Sequence, residues 1–244
     1  SLDIPVMTFD AEGRLLHDPA GRLSFQPYGA REEEVIWSVH REKLNRTLLD
    51  AAEATGRVRL HFRHELASVD WDERRLAFAN GAHHDFPVLI GADGGGSAVR
   101  RAMNGRRDLG ISEELLDHGY RELTFPPALA GGFTMEREAL HIWPRGGYMM
   151  IALPNVDGSF TGTLFLAKRG DTSFAALRGW PEQEDFFRRH FADALPLLGR
   201  LKKDFEDNPV GLLGTIRCRH WHLEGRAALL GDAAHAVVPF HGQG

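Results

Sequence analysis

Two carboxylates in this chain stand where apolar runs stop and glycines begin. One follows Phe86-Pro-Val-Leu-Ile90, in the stretch Gly91-Ala-Asp93-Gly94-Gly-Gly-Ser97-Ala-Val-Arg100. The other follows Ala227-Ala-Leu-Leu230, in Gly231-Asp232-Ala-Ala-His235-Ala-Val-Val-Pro239-Phe-His-Gly242-Gln-Gly244. A carboxylate at the end of a buried strand is costly unless it accepts hydrogen bonds, and sugar-like hydroxyls are suitable donors. Neighbouring glycines let backbone N–H groups approach an anionic or polarised ring, best of all where a helix starts. A glycine-rich loop alone is weak evidence. Asp-Gly-x-x-Ser-x-Val-Arg after a buried strand is stronger, because Ser97 can cap a helix that carries Arg100. Both stretches read as ligand-holding turns, with Asp232 expected to be buried.

Two arginines and four histidines complete the polar candidates. By pattern alone Arg14 reads as a solvated charge on an edge strand, and Tyr28 as an amphipathic packing residue. Arg41 falls where a strand gives way to a helix. A cation in the first helical turn opposes the helix dipole, which leaves two readings, an anionic ligand or a surface arginine. His61 and His64 are three apart on an expected strand over 58–62 and its continuation, so they should point to opposite faces. His83 and His84 fall in an expected turn. No cysteine or acid accompanies either pair, so no metal site is expected.

These residues need elements to hold them. Short strands joined by turns are expected over 1–30, a strand at Val35–Val39, and a helix from Arg41 to Thr55 with Leu44, Leu48, Leu49 and Ala52 on one face. A hairpin is expected over Leu66–Phe78, closed at Asp70-Trp-Asp-Glu-Arg74. From Gly119 to Leu166 the texture is consecutive strands separated by glycine turns, which predicts an antiparallel sheet. Met149, Met150 and Ile151 are apolar in succession, so both faces of their strand are covered and one could floor a pocket. Pro181 and Gly199 bracket an expected helix with a Phe186, Phe187 and Phe191 stripe.

The fold class is therefore mixed α/β, with two interleaved domains and ligands expected at strand ends. The expected boundaries are 1–110, 111–217 and 218–244, the last returning to the first region. Among 244 residues, a net charge of −5 without a basic block argues against nucleic acid. The single cysteine, Cys218, excludes an internal disulfide and fits a reducing compartment. No apolar run approaches 18 residues and no signal peptide is evident. Ser1-Leu2-Asp3 lacks an initiator Met, and both ends suggest a piece of a longer chain.

On its two Asp motifs the chain resembles the FAD-dependent aromatic hydroxylases, the class A flavoprotein monooxygenases. The blocks Arg14-Leu-Leu-His17, Gln26-Pro-Tyr28-Gly29, Leu140-His-Ile-Trp-Pro-Arg145 and Met149-Met-Ile-Ala-Leu-Pro-Asn155 narrow the resemblance to the branch that hydroxylates L-kynurenine. The resemblance implies an incomplete FAD-binding Rossmann-like domain interleaved with an antiparallel-sheet substrate domain. It implies hydride transfer from NADPH to FAD, then reaction with O₂ to a flavin hydroperoxide that oxygenates the ring beside the aniline nitrogen. A bacterial, cytoplasmic protein is expected.

By the same resemblance Arg14 pairs with the substrate's amino-acid carboxylate and Tyr28 holds the same end. Arg41, Leu66 and Asp93 contact FAD, and Asp232 accepts hydrogen bonds from its ribityl chain. Pro239, Phe240 and His241 lie between flavin and substrate, and Gly242 to Gly244 approach the flavin's pyrimidine edge. No catalytic base is assigned; His241 is the only titratable candidate in the motif and reads as a packing or polar contact. The family also has a Gly-x-Gly-x-x-Gly loop before the stretch matching Ser1 and a further region after Gly244. This chain alone is thus expected neither to bind FAD well nor to turn over. Two other readings stand beside this one, a flavin hydroxylase for another aromatic acid and a flavoprotein-derived binding module without activity.

Overall fold

A computed structural model describes residues 8–30, 36–39 and 41–238. The chain divides into two compact units, Ser1–Arg59 with Asp117–Leu212, and Leu60–Leu116 with Leu213–Gly244. The first unit opens with strands β1 (Thr8–Ala11), β2 (Gly13–His17), β3 (Leu23–Pro27) and β4 (Ile36–Val39), then helix α1 (Arg41–Ala54). The second contributes β5 (Leu66–Asp70), β6 (Arg75–Phe78), β7 (His83–Asp85), β8 (Leu89–Gly91) and α2 (Ala98–Arg106). After β9 (Ser112–Phe125) come β10 (Ala139–Pro144), β11 (Met149–Pro154), β12 (Phe160–Ala167), α3 (Trp180–His190) and α4 (Leu201–Asp207). The chain returns through β13 (Gly211–Arg217), β14 (His222–Leu223) and β15 (Ala227–Leu229).

A seven-stranded sheet runs in the order β13-β9-β12-β11-β10-β2-β3. The pairs β9/β12, β12/β11, β11/β10 and β2/β3 are antiparallel, and β2 lies parallel to β10 with Arg14 opposite Leu140. The described residues from β1 to α1 thus group with the antiparallel strands, and the compact units break near 59 and 116. The physical reason is that β10 offers β2 an edge, which satisfies backbone groups that a lone hairpin would leave in water.

The two-residue period of the strands sorts the faces of this sheet. Along β11 burial alternates, so Met150 and Ala152 are fully buried while Met149 and Ile151 are half-buried. Along β12, Phe160, Leu164 and Leu166 are buried on that first face. They pack with Trp143, Phe125 and the Phe186, Phe187 and Phe191 stripe of α3 and its C-cap, with Leu201 and Phe205 of α4. The opposite face carries the row Ser24, Leu16, Ile142, Ile151, Thr163 and Glu122, paired strand to strand. It is the less buried side, as expected for a sheet with one packed face.

In the second unit β8 pairs in parallel with β15, and β5-β6-β7 form a separate three-stranded sheet. Trp71, Phe86, Val99, Met103, Leu109, Leu223 and Leu229 form its core. At Gly91 the packing of β8 against α2 and β15 leaves no room for a side chain: a Cβ there would lie 2.8 Å from Val99 Cβ and 2.9 Å from Leu229 Cδ2.

Three expected elements differ. Residues 58–65 form no strand, because the chain turns at Arg63, which holds φ 59°. His83 and His84 lie on β7 rather than in a turn, pairing with Ala77 and Leu76 of β6. Helix α3 ends at His190 instead of running to Gly199: Phe191 leaves helical geometry at φ −139°, and a 3-10 turn at Leu195–Leu197 containing Pro196 follows. Among the described residues no helix is long and apolar enough to cross a membrane.

Candidate functional site

In the first unit, strand β2 places Arg14 on the less buried face of the seven-stranded sheet, opposite Gln26 of β3. Tyr28 follows β3, and its backbone N–H donates to the Glu12 carbonyl at 3.0 Å, which extends the β2–β3 pairing by one residue. The Arg14 guanidinium carbon then lies 4.8 Å above the centre of the Tyr28 ring, within cation–π range. Burial raises the Tyr28 hydroxyl above its ordinary pKa, against the opposing pull of Arg14, so the phenol remains a donor. A planar fork of N–H donors beside a phenol O–H matches a carboxylate.

The buried face of the same strands carries a polar chain that sequence reasoning missed. His17 Nδ1–H donates to Asp193 Oδ2 at 3.0 Å, and Trp143 Nε1–H donates to the same oxygen at 2.7 Å. His17 Nε2 lies 2.9 Å from His141 Nδ1, and His141 Nε2–H donates to the Glu136 carbonyl at 2.7 Å. A carboxylate and a carbonyl only accept, so each imidazole spends its one proton on an outer contact. The contact between the rings holds a proton only when the pair is charged. Burial depresses both: His141 falls to about 4, with the Glu136 carbonyl opposing, and His17 falls against the opposition of Asp193. Both rings border a cavity of about 620 Å³ with Leu15, Leu23, Phe25 and Met135. The signal was in the sequence, since His17 and Arg14 are three apart on a strand and must face opposite ways.

In the second unit, β8 and β15 run parallel with Gly91 beside Leu229, so both strands deliver their carboxylates at the same edge. Ser97 Oγ–H donates to Asp93 Oδ1 at 2.5 Å and the Val99 N–H to Oδ2 at 3.1 Å. Burial pushes the Asp93 acid upward, but these hydrogen bonds outweigh it and hold the carboxyl below its usual range. Each oxygen keeps a lone pair for a further donor. Ser97 also caps α2, accepting from the Arg100 N–H at 2.9 Å.

Arg100 is only 3% exposed and joins the two motifs, donating from Nη2 to the Gly95 carbonyl at 2.5 Å and from Nη1 to the Ala233 carbonyl at 3.0 Å. Asp232 lies in a 3-10 turn, Gly231–Ala233, that starts at φ +57° on Gly231, and it is exposed rather than buried. The strand ends one residue earlier than expected, at Leu229, and the turn lifts Asp232 clear of the core.

Leu66 and Asp93 share the walls of one cleft of about 440 Å³ with His64, Gly96 and Val99. Two acceptors at the carboxyl ends of parallel strands, with glycines nearby, suit the hydroxyl-bearing part of a flavin nucleotide. Arg41 opens α1 in the other unit, and its side chain lies outside the described residues. Pro239, Phe240, His241, Gly242 and Gly244 also lie outside them.

His61 and His64 do not point apart. The turn at Arg63 brings them together, and ring centroids of His61, His64 and His84 lie 4.9–5.8 Å from one another.

No protein-family model matches the chain. The chain is similar to kynurenine 3-monooxygenase of Stenotrophomonas maltophilia (strain K279a), 53% identical over 95% of this chain and 52% of that protein. It is similar to kynurenine 3-monooxygenase of Xanthomonas campestris pv. campestris (strain B100), 52% identical over the same shares. The chain spans about half the length of these curated relatives. Among solved structures, 2-methyl-3-hydroxypyridine-5-carboxylic acid oxygenase in its tetrameric form matches with TM-score 0.69 at 20% identity, over 95% of this chain and 59% of that one. PqsL of Pseudomonas aeruginosa, in complex with 2-aminobenzoylacetate, matches with TM-score 0.71 at 18% identity, over 98% of this chain and 64% of that one. The fold is that of these oxygenases, a mixed α/β architecture represented here in part.

Proposed function

We propose that this chain belongs to an FAD-dependent, NADPH-consuming monooxygenase that hydroxylates L-kynurenine to 3-hydroxykynurenine in the bacterial cytoplasm. The observation that carries the reading is the Arg14–Tyr28 pair on the less buried face of the sheet, in a chain about half identical to kynurenine 3-monooxygenases. An amino-acid carboxylate is the ligand that pair suits. Arg14 would grip both carboxylate oxygens, Tyr28 would donate a third hydrogen bond, and Ile142, Ile151 and Met149 would supply an apolar floor.

Bound FAD would supply the redox chemistry, accepting hydride from NADPH and activating O₂. Asp93 and Asp232 would accept hydrogen bonds from its hydroxyls, and Leu66 and Arg41 would flank it. Pro239, Phe240 and His241 would exclude water from the reacting ring, with Gly242 and Gly244 allowing close backbone approach. No residue is required as a base.

The test uses a protein of the relatives' full length that carries this chain. NADPH consumption is followed with and without L-kynurenine, and the product is assayed. Formation of 3-hydroxykynurenine is expected; peroxide as the sole product sinks the assignment. Arg14→Ala is expected to lower kcat/KM for L-kynurenine about a hundredfold, as for losing one partner of a desolvated charge pair worth ~3 kcal/mol. An unchanged KM would favour a different aromatic acid.

A further inference from the structure

The proposed chemistry gives no role to the histidine cluster of the second unit, although His64 also walls the cleft beside Asp93. One ring nitrogen from each of His61, His64 and His84 lies within 4.8 Å of the other two. The arrangement is built by backbone contacts on both sides of the turn. Asn80 Nδ2–H donates to the Arg63 carbonyl at 2.9 Å, and the Ala79 N–H donates to the Glu65 carbonyl at 2.8 Å. These contacts fasten the segment that carries His61 and His64 to the β6–β7 hairpin that carries His84. Phe78 backs the cluster, with its ring centroid 5.0 Å from His64 and 5.7 Å from His84.

The tautomer of His64 follows from its neighbour. Its Nδ1 lies 2.8 Å from the Phe62 carbonyl, which only accepts, so Nδ1 carries the proton and Nε2 has the free lone pair. A histidine that donates its other N–H to a backbone carbonyl is the usual arrangement behind a metal ligand. Zinc–nitrogen bonds of about 2.0–2.1 Å place tetrahedral ligand atoms about 3.4 Å apart. His61 and His84 are both exposed, which leaves their side chains room to rotate towards that spacing.

We propose that His61, His64 and His84 form a three-imidazole site for a borderline divalent ion of the zinc class, with water at the fourth position. Imidazoles without carboxylates select zinc, nickel or copper over calcium and magnesium. His83 is the internal control: it neighbours His84 on β7 and so points to the opposite face of that strand.

The experiment titrates Zn²⁺ into the 244-residue chain by calorimetry, with dialysis and metal analysis for stoichiometry. One ion per chain with micromolar affinity is expected. H64A and H84A should each weaken binding at least tenfold, whereas H83A should leave it within twofold. Co²⁺ should give the intense visible absorption of a tetrahedral nitrogen site in the parent chain and lose it in H84A. Circular dichroism of the metal-free variants should match the parent, which separates loss of ligand from loss of fold. Equal losses in H83A and H84A, or zinc affinity unchanged in H84A, would overturn the site. Binding of several ions without a defined stoichiometry would mean adventitious surface histidines and would overturn it equally.

Discussion

In the first unit the polar side chains ride on strands, so the two-residue period sends Arg14 to one face of the sheet and His17 to the other. In the second, Asp93 and Asp232 sit beyond strand ends, where no period constrains them, and hydrogen bonds from Ser97 and the Val99 N–H hold Asp93 instead. The first arrangement separates a ligand-facing group from a structural network by one strand's thickness. The second sets the structural residue, Arg100 in the first turn of α2, against the loops that carry the candidate ligand contacts, Asp93 and Asp232. A polar residue's role is thus legible from its parity on a strand, and from its hydrogen-bond partners in a turn.

That contrast can be broken at measurable points. The largest effect is expected for Trp143→Ala, which empties a fully buried position and leaves Asp193 without one of its donors. A loss of about 3–5 kcal/mol in unfolding free energy, read from urea midpoints, is expected. Next is acid. Because the folded-state pKa of His141 is depressed to about 4, the unfolded chain binds the proton better. The contribution is complete above about pH 6.5 and is lost as pH falls towards 4, on the order of 3 kcal/mol. His141→Gln should flatten that part of the stability profile, and an unchanged slope would show that His141 is not its source.

The next two effects belong to the second unit. Gly91→Ala places a Cβ against Val99 and Leu229 and should cost about 1–3 kcal/mol, seen as a lower thermal midpoint. Ser97→Ala removes the cap of α2 and the Asp93 contact and should cost about 1 kcal/mol, with Asp93 titrating higher by NMR. The smallest is Arg14→Ala, whose effect on stability should stay within about 0.5 kcal/mol. A larger change would mean that the less buried face is structural after all, and the comparison between faces would fail.

Much of this was legible beforehand because the local signals agree. Ser97 as a cap, the strands from β9 to β12 and the hairpin at Asp70 follow from residue type and period, and the structure has them. The errors concern where strands run and stop. His61 and His64 point apart only if the expected strand continues, whereas the positive φ at Arg63 redirects the chain; His84 errs the other way, expected in a turn and found on β7; and Asp232, expected buried, is lifted out by the positive φ at Gly231. Left-handed geometry at an arginine has no sequence signature, because tertiary hydrogen bonds such as Asn80 to Arg63 impose it. The His17–His141 chain was hidden differently, since its members lie more than a hundred residues apart and only strand pairing unites them.

The parallel pairing of β8 with β15 also governs when the second unit can fold. Leu89 meets Ala227 only after the whole intervening stretch has been made, which takes on the order of ten seconds at about 5–20 residues per second. Throughout that interval the exposed edge of β8 and the buried Arg100 of the finished protein have no Ala227 strand or Ala233 carbonyl to meet. On the ribosome β1 to β4 and β9 to β12 are therefore all made before the second unit can close.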